Sequence, residues 1–162
     1  MNDTPTLCPF QHWILEAATA SGLSIPSHID PLGIEFEAEG HLARVTPHSD
    51  DTLAITEVDV CSLADVSEES LAFLALQLLR INHEARFEHG WQIVLDDDDT
   101  IGITTTLSMS ATDAETLAMV LADGIERACA LAEVVSGLLS PAFAQTQAPL
   151  DAHRLAPGAI VA

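Results

Sequence analysis

The longest apolar stripe of the sequence, between residues 112 and 139, constrains the fold more than any other feature. Thr112 and Glu115 have the spacing of a capping box, which predicts the start of a helix. Apolar or small residues then recur at alternating spacings of four and three: Leu117, Leu121, Gly124, Ala128, Leu131, Val135 and Leu138. A second row makes this face wider than a coiled-coil seam: Ala118, Ile125, Ala132 and Leu139. We therefore predict a long helix that lies on a β-sheet.

Period-two alternation in two regions supplies the strands of that sheet. Ile34, Phe36 and Ala38 alternate with three glutamates, which is typical of a half-buried strand. Gly40 marks the turn into the next strand, and Pro47 marks its end. The predicted strands are residues 34–38, 42–46, 53–60, 91–95 and 101–109.

Two further helices complete the predicted order of elements. The first spans residues 9–21, with Gly22 available to end it in a left-handed conformation. The second begins near the cap signals at residues 65–67 and ends at about Asn82. The order helix, three strands, helix, two strands, helix predicts an α+β fold in which helices pack on a twisted antiparallel sheet.

The chain divides into one domain and a tail. Residues 1–140 contain all of the periodic segments and are enough for one compact domain. Residues 141–162 are rich in Ala, Pro and Gln without periodicity, so we predict a mobile tail there.

The charge of the chain excludes several kinds of chemistry and of partner. Its 162 residues contain 25 Asp and Glu but only five Arg and no Lys, for a net charge of −20. The absence of lysine excludes a P-loop lysine and a Schiff base. Nucleic acids and anionic lipids bind clustered Lys and Arg, so we expect neutral or basic partners, no nucleic acid and no membrane insertion. No basic segment typical of a signal peptide precedes Arg44, and we expect a cytoplasmic protein.

Four consecutive aspartates, residues 96–99, are the first candidate for a metal site. An EF-hand loop starting at Asp96 would place Ile101 at the glycine position and Leu107 at the position of the bidentate glutamate. Aspartate favours turns, because its side chain bonds to nearby backbone groups. We therefore predict a solvated turn that joins the last two strands.

The histidines and cysteines give no better candidate. The segment HEARF begins at His83, but Phe87 stands where a zinc-binding HExxH motif has its second histidine. The three cysteines lack metal-ligand spacing and are interpreted as apolar core residues in a reducing compartment: Cys8, Cys61 and Cys129. We expect no catalytic residue, no metal and no cofactor. A metal-dependent hydrolase that uses His83, His89 and the aspartates stays open as the weakest alternative.

The order of motifs after residue 74 is similar to that of a known family. A leucine-rich helix carries Leu78, Leu79, Arg80 and Asn82 in an LLRxN-like pattern, with Ile81 between. Two strands with an acidic turn follow, and the segment DAETLA opens the long last helix. Together with FQHWILEAATASGLS near the amino terminus, this order resembles the type III secretion chaperones of the Tir chaperone family. The same topology also occurs in YbjN-type proteins unrelated to secretion, which remain the alternative.

The resemblance implies a function and two sets of site residues. Such a protein is a small acidic bacterial homodimer without ATPase activity that holds the extended amino-terminal segment of a secreted effector. By resemblance, and because one sheet cannot cover so wide a helix face, the expected dimer interface is Leu74, Leu78, Ile81, Trp91 and Ile93. The expected effector-binding residues are Phe10, Trp13, Ile14, Ile34 and Phe36, with burial in an ordinary core as the competing interpretation.

Overall fold

The fold contains three helices and a five-stranded antiparallel sheet. The computed structural model describes residues 7–21, 30–48, 52–96 and 99–140. The elements are α1 (Pro9–Ser21), β1 (Ile34–Ala38), β2 (His41–Pro47), β3 (Leu53–Ser62), α2 (Glu68–His89), β4 (Gln92–Leu95), β5 (Thr100–Ser108) and α3 (Ala114–Leu139). This order and the α+β class confirm the prediction. Gly22 and the tail at residues 141–162 lie outside the described residues.

The strand order is β1-β2-β3-β5-β4, so β1 and β4 form the two edges of the sheet. Ala43, Val58 and Ile103 are in register across the three central strands. All three side chains are buried on the sheet face that the helices cover. The register thus collects the alternate apolar residues into one core, as strand geometry requires.

Helix α3 lies on this covered face and packs against β3, while α1 packs against α3. Six members of the predicted apolar stripe are buried: Leu117, Leu121, Gly124, Ala128, Leu131 and Val135. The prediction of a long helix on a sheet is therefore confirmed. The predicted cap was wrong by one residue, because the side chain of Asp113 accepts the N–H of Thr116 at 2.8 Å. The carbonyl of Thr112 accepts instead the indole N–H of Trp13, at 2.7 Å.

Helix α2 is longer than predicted. Ser67 is its N-cap and Gly90, with φ of 73°, ends it in the left-handed conformation. The predicted end at Asn82 was wrong, and the expected loop that contains His83 is helical. Residues 83–89 include Glu, Ala and Arg, which favour helix and continue it to the first glycine.

The acidic turn is described only at its two ends. The N–H of Asp96 bonds to the carbonyl of Thr100, and the N–H of Asp99 bonds to the carbonyl of Asp96. Asp99 has a φ of 54°. These bonds close the β4–β5 hairpin, whereas Asp97 and Asp98 lie outside the described residues. Among the helices described, none is both long and apolar enough to cross a membrane.

Candidate interaction surfaces

The residues predicted to bind an effector lie together, but mostly in the interior. Phe10, Trp13, Ile14 and Ile34 are buried in one apolar cluster, and only 1% of Ile14 is exposed. Phe36 is half-buried and packs against this cluster and the neighbouring one. The structure therefore brings the five residues to one region, where Phe36 alone offers substantial surface. A role in binding remains a prediction.

A tight turn beside this region exposes a residue that sequence reasoning missed. Leu32 is 80% exposed, just before β1. Its N–H bonds to the side chain of Asp30 at 2.8 Å, and the N–H of Gly33 bonds to the Asp30 carbonyl. Gly33 has φ of 149°, and a Cβ there would lie 2.9 Å from Thr46. The Asp-Pro-Leu-Gly sequence was the available signal, because it favours a turn that displays its third residue.

The open face of the sheet near β1 is acidic. Arg44 on β2 bonds to both carboxylate oxygens of Asp59, at 3.0 and 3.1 Å, and to Glu35 at 2.9 Å. Burial lowers the pKa of Arg44, but the hydrogen bonds and charges of Glu35 and Asp59 outweigh it and raise that pKa overall. Glu37 is exposed and has no ion pair to a described residue. Negative charge thus remains at this edge of the sheet.

The residues predicted for the dimer interface divide into two groups. Leu74 and Trp91 are buried in the core of the chain itself. Leu78 and Ile93 are half-buried and line a cleft of about 530 Å³ between α2 and β4. Ile81 and Ile93 line a second cleft, of about 220 Å³, that reaches α3. The half-buried Leu78, Ile81 and Ile93 can contact a partner directly. The buried Leu74 and Trp91 can only support these residues from the core.

Apolar side chains around these clefts are unusually exposed. Leu76, Leu79 and Leu95 are 63%, 65% and 64% exposed. Leu79 and Leu95 line the larger cleft, and Leu76 lies with Leu79 along a third depression on α2. Scattered exposed leucines are ordinary, but a contiguous apolar patch of this kind marks an interaction surface.

Trp91 is held firmly inside the fold. Its indole N–H bonds to the carboxylate of Asp123 at 3.0 Å, and the same oxygen accepts a bond from Arg127 at 2.7 Å. The ring lies directly over Gly124, where a Cβ would come within 2.6 Å of it. This arrangement explains why a glycine interrupts the apolar stripe of α3.

The side chain of Asn82 joins α2 to the backbone of β4. Its Oδ1 accepts the N–H of Ile93 at 2.9 Å, and its Nδ2 donates to the Ile93 carbonyl at 3.3 Å. The sequence pattern identified Asn82 only as part of the LLRxN-like motif, because nothing local predicts its contact with a strand.

Metal-binding groups do not converge in the described part of the chain. Within residues 7–21, 30–48, 52–96 and 99–140, no three His, Cys, Asp or Glu side chains come together. Cys8, Cys61 and Cys129 are half-buried free thiols, and Cys8 and Cys61 pack against the apolar core. Burial raises the pKa of the Cys61 thiol.

Comparison with known proteins adds the fold relationship. No protein-family model matches the sequence, and no curated protein matches it. A chain from the crystal structure of the Yersinia pestis type III secretion chaperone SycH in complex with a stable fragment of YscM2 matches with a TM-score of 0.57. Identity is 20%, over 74% of this chain and 97% of that chain. A chain of the HopA1–SchA chaperone–effector complex matches with a TM-score of 0.61 and 9% identity, over 77% and 94% of the two chains.

The protein has the fold of the type III secretion chaperones. A chain of the ExsC–ExsE complex also matches, with a TM-score of 0.64 and 16% identity over 80% of this chain and 97% of that one. The predicted resemblance is therefore confirmed for the chaperone fold, while the matches do not single out its Tir branch.

Proposed function

We propose that the protein is a homodimeric effector chaperone of a bacterial type III secretion system. It binds an extended amino-terminal segment of a secreted effector in the cytoplasm and keeps that segment soluble for export, without catalysis. The observation that carries this proposal is the fold, which is shared with chains whose structures were solved in complex with a second protein. An acidic domain with an exposed apolar patch fits the same role, because charge keeps it soluble while the patch binds.

The α2–β4 surface is the proposed dimer interface. Its exposed leucines lie around a cleft that the half-buried Leu78 and Ile93 line. A second copy would place the same apolar patch opposite this one, as a two-fold interface requires. Ile81, which is half-buried, contacts the second copy with them, and the buried Leu74 and Trp91 support the contact from within each subunit.

The β1 edge is the proposed effector site. In the described part of the chain, no strand lies on the outer side of β1. An extended segment can add there as a further strand, with backbone hydrogen bonds for affinity and alternate side chains for specificity. Phe36 and the exposed Leu32 are the side chains that the segment reaches. Phe10, Trp13, Ile14 and Ile34 form the apolar base that holds α1 and β1 together.

The charge of this edge defines the chemistry of the effector segment. Glu35 and Glu37 both point to the open face of the sheet, since they alternate with Ile34 and Phe36 along β1. A segment with apolar residues on one side and Lys or Arg on the other matches both faces. Cross-strand pairs of opposite charge contribute about 0.2–1 kcal/mol each.

A charge-reversal experiment tests this proposal. Amino-terminal segments of secreted proteins from the same organism are measured for binding by calorimetry, against the unmodified protein and two variants. We expect Glu37→Lys to weaken binding and Glu126→Lys, an exposed control on α3, to leave it unchanged. If no such segment binds the unmodified protein, or if both variants behave alike, the proposed site is wrong.

A further inference from the structure

The two edges of the sheet differ because the side chain of Asn82 bonds to the backbone of one of them. A strand edge presents unpaired N–H and C=O groups that readily accept another strand. β1 and β4 are both edges. On β4, the amide of Asn82 already occupies the N–H and the C=O of Ile93.

The occupied groups are the ones that an added strand would use. Ile93 lies opposite Ile103 in the β4–β5 pair. In an antiparallel ladder, successive residues alternate between bonding to the neighbouring strand and pointing away from it. Since both backbone groups of Ile93 bond to a side chain of α2, they point away from β5. On a strand of four residues, only Leu95 follows as a second outward-facing position.

The chemistry of the asparagine amide suits this contact. A primary amide has a donor and an acceptor on one planar group, as a peptide unit has, so it gives one residue the same pair of bonds as a neighbouring strand. Asparagine is a poor helix former, and Asn82 stands well inside α2. A tertiary contact explains its presence there.

We propose that Asn82 acts as a strand mimic that closes the β4 edge, so that extended chains add to the sheet at β1. An effector segment then adds at β1, and the β4 strand of another copy is kept from pairing with β4. The statement about effector segments rests on the proposed function, whereas closure of β4 does not. Without closure, the exposed Leu95 and Leu79 would lie beside an unpaired apolar edge, which is a site of aggregation.

Exchange of the Ile93 amide tests the closure directly. In Asn82→Ala, we expect this amide to exchange at least about fivefold faster, the factor that corresponds to one ordinary hydrogen bond. Gln77→Ala is the matched control, since it removes an amide from the same helix and leaves the Ile93 contact in place. Unchanged exchange at Ile93 in Asn82→Ala would overturn the proposal.

Self-association tests whether an opened β4 edge pairs with other copies of the chain. By light scattering over a range of concentrations, Asn82→Ala should form species larger than the unmodified protein forms. Adding Gln92→Lys, which places a charge on the exposed β4 edge, should return the variant to its original size. A merely structural role would lower the melting temperature without rescue by lysine. An unchanged size distribution, or larger species that persist with the lysine, would contradict closure.

A second variant and the use of the protein alone keep closure of β4 testable independently of the proposed function. Should Asn82→Ala fail to fold, Asn82→Ser removes the same pair of bonds and carries the same measurements. Both measurements use the protein alone, so their failure leaves the proposed function intact. Conversely, if effector segments fail to bind the unmodified protein, the proposed function falls and closure of β4 still stands on its own result.

Discussion

The contact between the Trp91 ring and Gly124 gives the sharpest test of how α3 packs in the core. Alanine at position 124 would place its Cβ 2.6 and 2.7 Å from two ring carbons of Trp91, whereas carbon atoms prefer about 3.5–4.0 Å. The ring would have to move by roughly 0.9 Å. Its N–H is bonded to Asp123 and its side chain is buried, so little space is available.

The magnitude follows from two opposing contributions. Replacing a helical glycine with alanine stabilises a helix by about 1 kcal/mol. Overpacking costs about 1–3 kcal/mol, and disturbing the hydrogen bond to Asp123 costs about 1 kcal/mol more. Gly124→Ala should therefore destabilise the protein by about 1–3 kcal/mol, which corresponds to a lower melting temperature by roughly 2–12 °C.

Gly137 on the same helix is the matched control. It is exposed, and a Cβ there would meet nothing within 4 Å. Gly137→Ala should raise stability by up to about 1 kcal/mol. Both variants are melted at one fixed protein concentration, because association makes the melting temperature depend on concentration. Equal or greater stability of Gly124→Ala would refute the reasoning and show that Trp91 is free to move.

Three further predictions address the interface, the core and the effector region. Leu78→Asp should give monomer or aggregate by light scattering, because an unpaired carboxylate in an apolar interface costs several kcal/mol. The control Met119→Asp, at an exposed position on α3, should keep the size of the unmodified protein. Thr56→Val should raise the free energy of unfolding by about 1 kcal/mol, since the buried hydroxyl has no hydrogen-bond partner in the described part of the chain; a decrease in chemical denaturation would contradict this. Trp13→Ala should lower the melting temperature more than Phe36→Ala does, because Trp13 is buried and Phe36 is only half-buried. Per folded molecule, Trp13→Ala should weaken effector binding less than Phe36→Ala does. If Trp13→Ala weakened binding more, Trp13 would be the residue that anchors the effector.

The sequence predicts the fold well where periodicity is long. The stripe of α3 and the alternation in β1 repeat over enough residues to define element type and buried face. Element ends depend on single contacts and were predicted less accurately. Asp113 rather than Thr112 caps α3, and α2 continues to Gly90 because nothing before it stops the helix.

The interaction surfaces were harder to predict, because periodicity identifies an apolar face without saying what covers it. Phe10 and Leu79 are both apolar helix residues, yet α3 and the sheet cover Phe10 while Leu79 stays exposed. The bond from Asn82 to Ile93 joins residues of two elements, and only tertiary structure brings them together.

The most direct test of the central claim is where an effector segment binds. Hydrogen exchange by mass spectrometry is measured with and without a bound amino-terminal segment of a secreted protein. We predict new protection of the backbone amides in β1, with exchange in β4 unchanged. Protection confined to β4 and α2, or binding that requires the folded part of the secreted protein instead of its extended amino terminus, would contradict it.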